Sequence, residues 1–232
     1  MKQHLNLLLR HLAKQFSANC GKMTPNSSSR LLRKRVAREA ALLLYSSQEK
    51  EYKQAKERAA ETLGIRVLPT NREVAEELDA IAEELEGRNR QNRLIRMRKE
   101  ALDIMCVLKS FHPKLVGSVW RGTAHRNSDI DIAVFSEDPN LVVNVLNSKG
   151  FRIEKTEFAP TPERGKAGAS FHVFVRLPSG DEVEVVIRDP EQRSLRYRCE
   201  IYGDTIKGLD IEGLRKVLAE NPLQTFVPKR RS

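Results

Sequence analysis

Residues 115–135 read Leu-Val-Gly-Ser-Val-Trp-Arg-Gly-Thr-Ala-His-Arg-Asn-Ser-Asp-Ile-Asp-Ile-Ala-Val-Phe. Gly117-Ser118 closes an apolar strand and precedes a short turn containing Arg121-Gly122. Without a Cβ at Gly117 the backbone can come close to a ligand. A strand leading into a helix start also aims free N–H groups, and here a serine hydroxyl, at whatever sits above, a geometry suited to phosphate. Eleven residues after Ser118, Asp129 and Asp131 stand on a strand otherwise made of Ile, Ile, Ala, Val and Phe. Alternation puts both carboxylates on one face, roughly 6.6–6.8 Å apart at Cα. Two such charges repel unless a cation joins them, and a hard divalent ion with oxygen ligands is the natural partner. A Gly-Ser after a strand is commonly only a turn, and an Asp-x-Asp pair commonly a loop or cap. Their pairing, each half tied to a strand, is far more specific and predicts a site that holds metal against a triphosphate.

Downstream of this segment the pattern is strand-rich. Pro139–Ser148 reads as a helix, with Asp138 as N-cap and Pro139 in its first turn. Segments 151–158, 170–177 and 182–188 read as three further strands, with Pro178-Ser179-Gly180-Asp181 a hairpin turn between the last two. A short helix capped by Asp210 follows and stops before Pro222. Upstream the pattern is helical. Residues 30–63 contain no Gly or Pro and place Tyr45, Tyr52, Ala55, Ala59 and Leu63 on one stripe, predicting a single helix begun by Ser28 or Ser29 and ended at Gly64. Thr70-x-x-Glu73 has the form of a capping box for a second helix, stopped by Gly87. Leu94, Met97, Ala101, Ile104 and Leu108 give the buried face of a third, from about residue 89 to 109. Its other face carries Arg88, Asn92, Arg96 and Lys99, which reads first as solvated and second as a phosphate contact.

The 232 residues allow one medium domain with a helical extension, or two small domains. No apolar run approaches the roughly 20 residues of a membrane span. Three scattered cysteines, Cys20, Cys106 and Cys199, exclude a disulfide framework and a cysteine-rich zinc site, and fit a reducing compartment. The net charge of +10 is concentrated at one end. Lys2, Arg10, Lys14, Lys22, Arg30, Arg33, Lys34, Arg35 and Arg38 all precede the first acid, Glu39, and the remaining chain is close to neutral. Such a tail adds salt-sensitive affinity for nucleic acid. Leu5, Leu8, Leu9, Leu12 and Phe16 also give residues 1–22 the amphipathic, acid-free form of an organelle transit peptide, against a disordered extension as the other reading. The expected division is a basic tail over 1–28, a helical segment over 29–87 and an α+β domain over 88–232. The cytoplasm is the expected location, with organelle targeting as the alternative.

Gly117-Ser118 with Asp129-Ile130-Asp131 resembles the signature of the polymerase-β-type nucleotidyltransferases: Gly-Ser or Gly-Gly, a spacer of about ten residues, then Asp-apolar-Asp or Asp-apolar-Glu in a strand. The fuller run Gly-Ser-x-x-Arg-Gly-Thr with Ser-Asp-Ile-Asp is similar to archaeal CCA-adding tRNA nucleotidyltransferases and to small stand-alone members. The resemblance covers roughly residues 95–190. It implies an α+β fold, a small mixed sheet with helices preceded here by the helical segment, and transfer of a nucleoside monophosphate from an NTP with release of pyrophosphate. It also implies a third carboxylate on a neighbouring strand. Glu184, between Val183 and Val185, takes that place best, and Glu182, with the same facing, is the second choice; both also read as the wet face of an edge strand. On this resemblance two Mg²⁺ ions are held by Asp129, Asp131 and Glu184, with Glu184 also a candidate base for the attacking hydroxyl. Gly117 and Ser118 hold the β- and γ-phosphates, and Arg121 neutralises the leaving pyrophosphate or, alternatively, pairs with an acid of the helical layer. His125 in the spacer touches nucleotide or is incidental, Trp120 packs, and the basic 159–169 loop with Arg164 and Lys166 is an acceptor-side flap or a linker. No P-loop, second metal motif or nucleophilic Ser/His/Asp set is visible.

The acceptor is open between an RNA 3′ end, a protein hydroxyl and a small molecule such as an aminoglycoside. Against a full tRNA CCA-adding enzyme stands the short stretch left after residue 190. An AMP-transferring, antitoxin-like enzyme acting on a protein is one alternative. An inactive fold used as a nucleic-acid-binding module is another, and a helical scaffold protein is a third. The oligomeric state is not legible.

Overall fold

The computed structural model describes residues 25–160 and 169–230. The amphipathic 1–22 stretch and most of the basic 159–169 loop lie outside the described residues. The chain opens with helices α1 (Pro25–Tyr45), α2 (Tyr52–Leu63), α3 (Asn71–Glu86) and α4 (Arg88–Val107). The single helix expected over 30–63 is therefore two, and the first begins at Pro25, which is tolerated in an opening turn. The break has a local cause. Ser46 turns its hydroxyl back onto the Leu42 carbonyl at 2.8 Å, and Ser47 adopts a left-handed φ of 57° that no helix can continue. The chain reverses, α1 packs against both α2 and α3, and Tyr45 closes the end of their small core of Val36, Ala40, Ala55, Ala59 and Ile81. The capping box of α3 forms as expected: the Thr70 hydroxyl accepts from the Glu73 amide and Glu73 accepts from the Thr70 amide. Arg33, Lys34 and Arg38 of the basic end pair with Glu73, Glu77 and Glu84 of α3, so part of that charge is used in helix packing.

Five strands follow: β1 (Lys114–Val116), β2 (Ile130–Phe135), β3 (Arg152–Pro160), β4 (Ala169–Arg176) and β5 (Glu182–Arg188). They form one mixed sheet in the order β1-β2-β5-β4-β3, with β2 and β5 parallel and all other neighbours antiparallel. Short helix α5 (Gly117–Arg121) lies between β1 and β2, α6 (Pro139–Ser148) between β2 and β3, and α7 (Ile211–Glu220) near the end. The apolar strand ends at Val116, because Gly117 takes φ +68° and the chain turns into α5.

Alternation divides the sheet into two faces. Ile130, Ile132 and Val134 of β2, Val183, Val185 and Ile187 of β5, and Val173 and Val175 of β4 are buried against Leu94, Met97 and Ile104 of α4, Leu108 just after it, and Leu146 of α6. The intervening residues Asp131, Glu184, His172 and Phe174 therefore point to the opposite face. After β5 the chain returns along the helical side, where residues 222–230 bind to both helical groups. The Phe226 amide donates to the Arg121 carbonyl at 2.9 Å, and Arg72 of α3 donates to the Pro228 carbonyl at 2.6 Å. Among the described residues no helix is long and apolar enough to cross a membrane.

Candidate active site

Parallel pairing sets Asp131 directly opposite Glu184 across β2 and β5. Asp129, two residues earlier, has the same facing as Asp131. Ligand oxygens of Asp129, Asp131 and Glu184 all lie within 4.8 Å of one another, and all three residues are half-buried. Glu182 shares the facing of Glu184 but is exposed at the start of β5, where it pairs with Arg176. Of the two candidate glutamates, the structure brings only Glu184 to the aspartates.

The electrostatics of the cluster are unfavourable on its own. Desolvation first, then the charges of Asp129 and Glu184, push the Asp131 carboxyl well above its ordinary value. Desolvation and the charges of Glu184 and Glu182 raise Asp129 as well. An all-oxygen donor set whose members destabilise one another's charged forms suits a hard divalent cation, which would offset both penalties.

Gly117 abuts this cluster. A Cβ built on it would lie 1.8 Å from Oδ2 of Asp131 and only 3.0 Å from its Cβ, so the absent side chain makes room for a carboxylate of the site itself. The space expected for a ligand is approached most closely by Asp131. Next to it, the Ser118 hydroxyl is buried with no hydrogen-bond partner. An orphaned buried hydroxyl beside a carboxylate cluster is a donor waiting for an acceptor from outside the chain. Gly117 and Ser118 also border a cavity of about 180 Å³, walled by Tyr52, Trp120 and Tyr202, between the helical layer and the loop around Tyr202.

Arg121, expected on the pyrophosphate, is held elsewhere. Its buried guanidinium donates to Asp204 at 2.7 Å and to the Phe226 carbonyl at 2.9 Å, and it is sandwiched between the Trp120 and Tyr202 rings at 4.6 and 4.7 Å. The ion pair with a carboxylate is the alternative reading, although the acid lies on the loop after β5 and not on the helical layer. Trp120 is buried and stacks on Phe226, as packing required. His125 packs on Tyr45, its Nδ1 accepts from the Asn127 amide, and burial lowers its pKa. On the helix face read as a phosphate contact, Arg96 makes a forked ion pair with Asp181.

Two residues with a part in the site carried no sequence signal. Arg98, fully buried in α4, donates to the carbonyls of Val119 and Trp120 at the end of α5 and to those of Pro222 and Gln224 in the tail. It therefore ties the helix that carries Ser118 to the C-terminal segment. Burial lowers its pKa to about 10. His172 of β4 lies 2.6 Å from Oε1 of Glu184 through Nδ1.

A mixed five-stranded sheet thus carries helices on one face and a carboxylate cluster beside a Gly-Ser turn on the other. Residues 98–202 match the family model described as Nucleotidyltransferase domain. No curated protein matches the sequence. Among solved structures, the chain is similar to the Cid1 poly(U) polymerase, at 18% identity and a TM-score of 0.30 over 40% of this chain and 30% of that one. It is similar to a cytoplasmic RNA terminal U-transferase at 20% identity and a TM-score of 0.29, covering 40% and 28%. A third likeness is to the GLD-2/RNP-8 complex, at 14% identity and a TM-score of 0.31, covering 50% and 45%. The chain thus spans less than half the length of each of these.

Proposed function

We propose that this protein moves a nucleoside monophosphate from an NTP to an acceptor hydroxyl, releasing pyrophosphate. The observation that carries this reading is the convergence of Asp129, Asp131 and Glu184 within 4.8 Å beside the orphaned Ser118 hydroxyl. In this reading the three carboxylates hold two divalent cations, Mg²⁺ being the hard ion that also prefers phosphate oxygens. Bound there, such ions neutralise phosphate charge and acidify the attacking hydroxyl. Asp131 on β2 and Asp129, the residue just before that strand, are the short carboxylates that would hold the ions against the triphosphate. Glu184, the third carboxylate of the cluster, receives the acceptor proton. The Ser118 hydroxyl and the Gly117 backbone hold the β- and γ-phosphates, and Arg121 serves by clamping α5 to the loop around Tyr202. In domain terms, residues 88–232 form the transferase unit and 29–87 a helical layer applied to it, each with its own apolar cluster.

The acceptor we assign is an RNA 3′ end, because the net charge of +10 is gathered at the N-terminal end, where Arg30 and Arg35 remain exposed. The test is incubation with each α-labelled NTP, Mg²⁺ and total cellular RNA or protein. Label entering RNA supports the assignment, and Asp129→Asn should abolish it. Label entering protein alone would make the enzyme a protein modifier. No incorporation with any NTP or acceptor would leave an inactive fold that binds nucleic acid.

A further inference from the structure

Glu184 presents a problem that its neighbours answer. A glutamate has one more rotatable bond than an aspartate, and a metal ligand must be held to a fraction of an ångström. Asp131 on β2 and Asp129 just before it are short side chains; Glu184 needs an additional constraint. His172 supplies a bond in the right place: its Nδ1 lies 2.6 Å from Oε1 of Glu184. Facing a carboxylate, Nδ1 must carry the hydrogen and donate, whatever the state of the other ring nitrogen. That nitrogen, Nε2, lies 2.7 Å from the hydroxyl of Ser170, a buried residue two positions earlier on β4. One ring face is braced by Phe174, whose ring is near-parallel at 21° with 6.4 Å between centroids, and Lys155 sits 4.0 Å above Phe174. The imidazole is thus anchored at both nitrogens and supported from the side, and only Oε1 of Glu184 is taken up by it.

Resting on the metal-dependent reading above, we infer that Ser170 and His172 form a positioning relay that holds Glu184 in the geometry of a metal ligand. Strand register explains how three residues from two strands meet. In the antiparallel β4–β5 pair Phe174 stands opposite Glu184 and His172 opposite Val186. His172 therefore reaches Glu184 along the diagonal between neighbouring strands. The arrangement inverts the usual support of a metal site, in which a carboxylate orients a histidine ligand.

Three substitutions separate the hydrogen bond from the packing. His172→Phe keeps a ring against Phe174 and removes the donor. His172→Asn places an amide nitrogen near the position of Nδ1 and keeps the donor without the ring. Ser170→Ala releases the far anchor only. Mn²⁺ alone, titrated against each folded variant by electron paramagnetic resonance, reads the ligand geometry without turnover. The phenylalanine variant should bind at least about 10-fold more weakly, the range for lost outer-sphere support. The asparagine variant should recover most of the affinity, and Ser170→Ala should fall between them. Wild-type affinity in His172→Phe, or equal losses in the phenylalanine and asparagine variants, would overturn the relay. Asp129→Asn is the control: if the wild-type Mn²⁺ signal does not depend on Asp129, the metal-site reading itself fails and takes the relay with it.

Discussion

The molecule buries charge in two places and treats the two in opposite ways. Around α5, Arg98 and Arg121 are fully or nearly fully buried, and their guanidinium groups are met by backbone carbonyls, by Asp204 and by two aromatic faces. On the other face of β1 and β2, Asp129, Asp131 and Glu184 crowd together; His172 donates to one oxygen of Glu184, and the aspartates have their pKa values raised by burial and by one another. A buried charge that the fold itself satisfies is structural, because removing it strands its partners. A buried cluster whose charges oppose one another destabilises the folded state, and its persistence points to a partner from outside the chain. The comparison turns on which charges the protein completes by itself.

The largest effect that can break this contrast is on activity. Asp131→Asn should lower NTP turnover by about a thousandfold or more, the scale of losing a principal charge-stabilising group in phosphoryl transfer. The same variant should be as stable as the wild type in EDTA, or more so, when both are unfolded in urea. Destabilisation in EDTA comparable to the loss from a buried arginine would show that the acids are structural after all. Next in size is the arginine cluster. Arg98→Met leaves four carbonyls without their shared donor and should cost about 3 kcal/mol or more in urea unfolding. Arg98→Lys should cost less but still measurably, because one ammonium cannot span the positions a planar fork reaches.

The smallest effect sharpens the comparison through pH. Asp129 and Asp131 bind protons more tightly in the folded protein than in the unfolded chain. Between the ordinary carboxylate value, about pH 4, and the raised folded values, the native state holds more protons, so stability falls as pH rises through that window. In EDTA the wild type should lose stability relative to Asp131→Asn from about pH 4 upward. A saturating divalent ion should flatten the difference. A wild-type curve that rises with pH relative to the variant would contradict the unfavourable electrostatics assigned to the acids.

Much of this was legible from local chemistry. The capping box at Thr70, the Asp138-Pro139 start of α6 and the Asp210 cap of α7 are each decided within four residues, and each forms. The Asp129–Asp131 pair was visible because alternation along one strand needs no knowledge of its neighbours. Where two or more segments had to be aligned, the sequence was silent or ambiguous. Glu182 and Glu184 are equivalent by alternation, and only the parallel register with β2 sets Glu184 opposite Asp131 and leaves Glu182 to Arg176. The break at Ser46-Ser47 was missed because two serines are weak breakers, and the reversal is completed by packing against α3. Arg121 stays open in the sequence between the pyrophosphate and an acid partner, because that partner, Asp204, lies 83 positions away.

The order of helices then strands, the boundaries set by caps and glycines, and the acidic pair beside Gly117-Ser118 were determined by the sequence alone, since each rests on steric and electrostatic effects within a few residues. Tertiary structure alone decided that Glu184 completes the cluster, that His172 and Ser170 stand behind it, and that Arg98 and Arg121 belong to the scaffold. Those assignments depend on strand register and on burial, quantities that exist only once distant segments have been brought into contact.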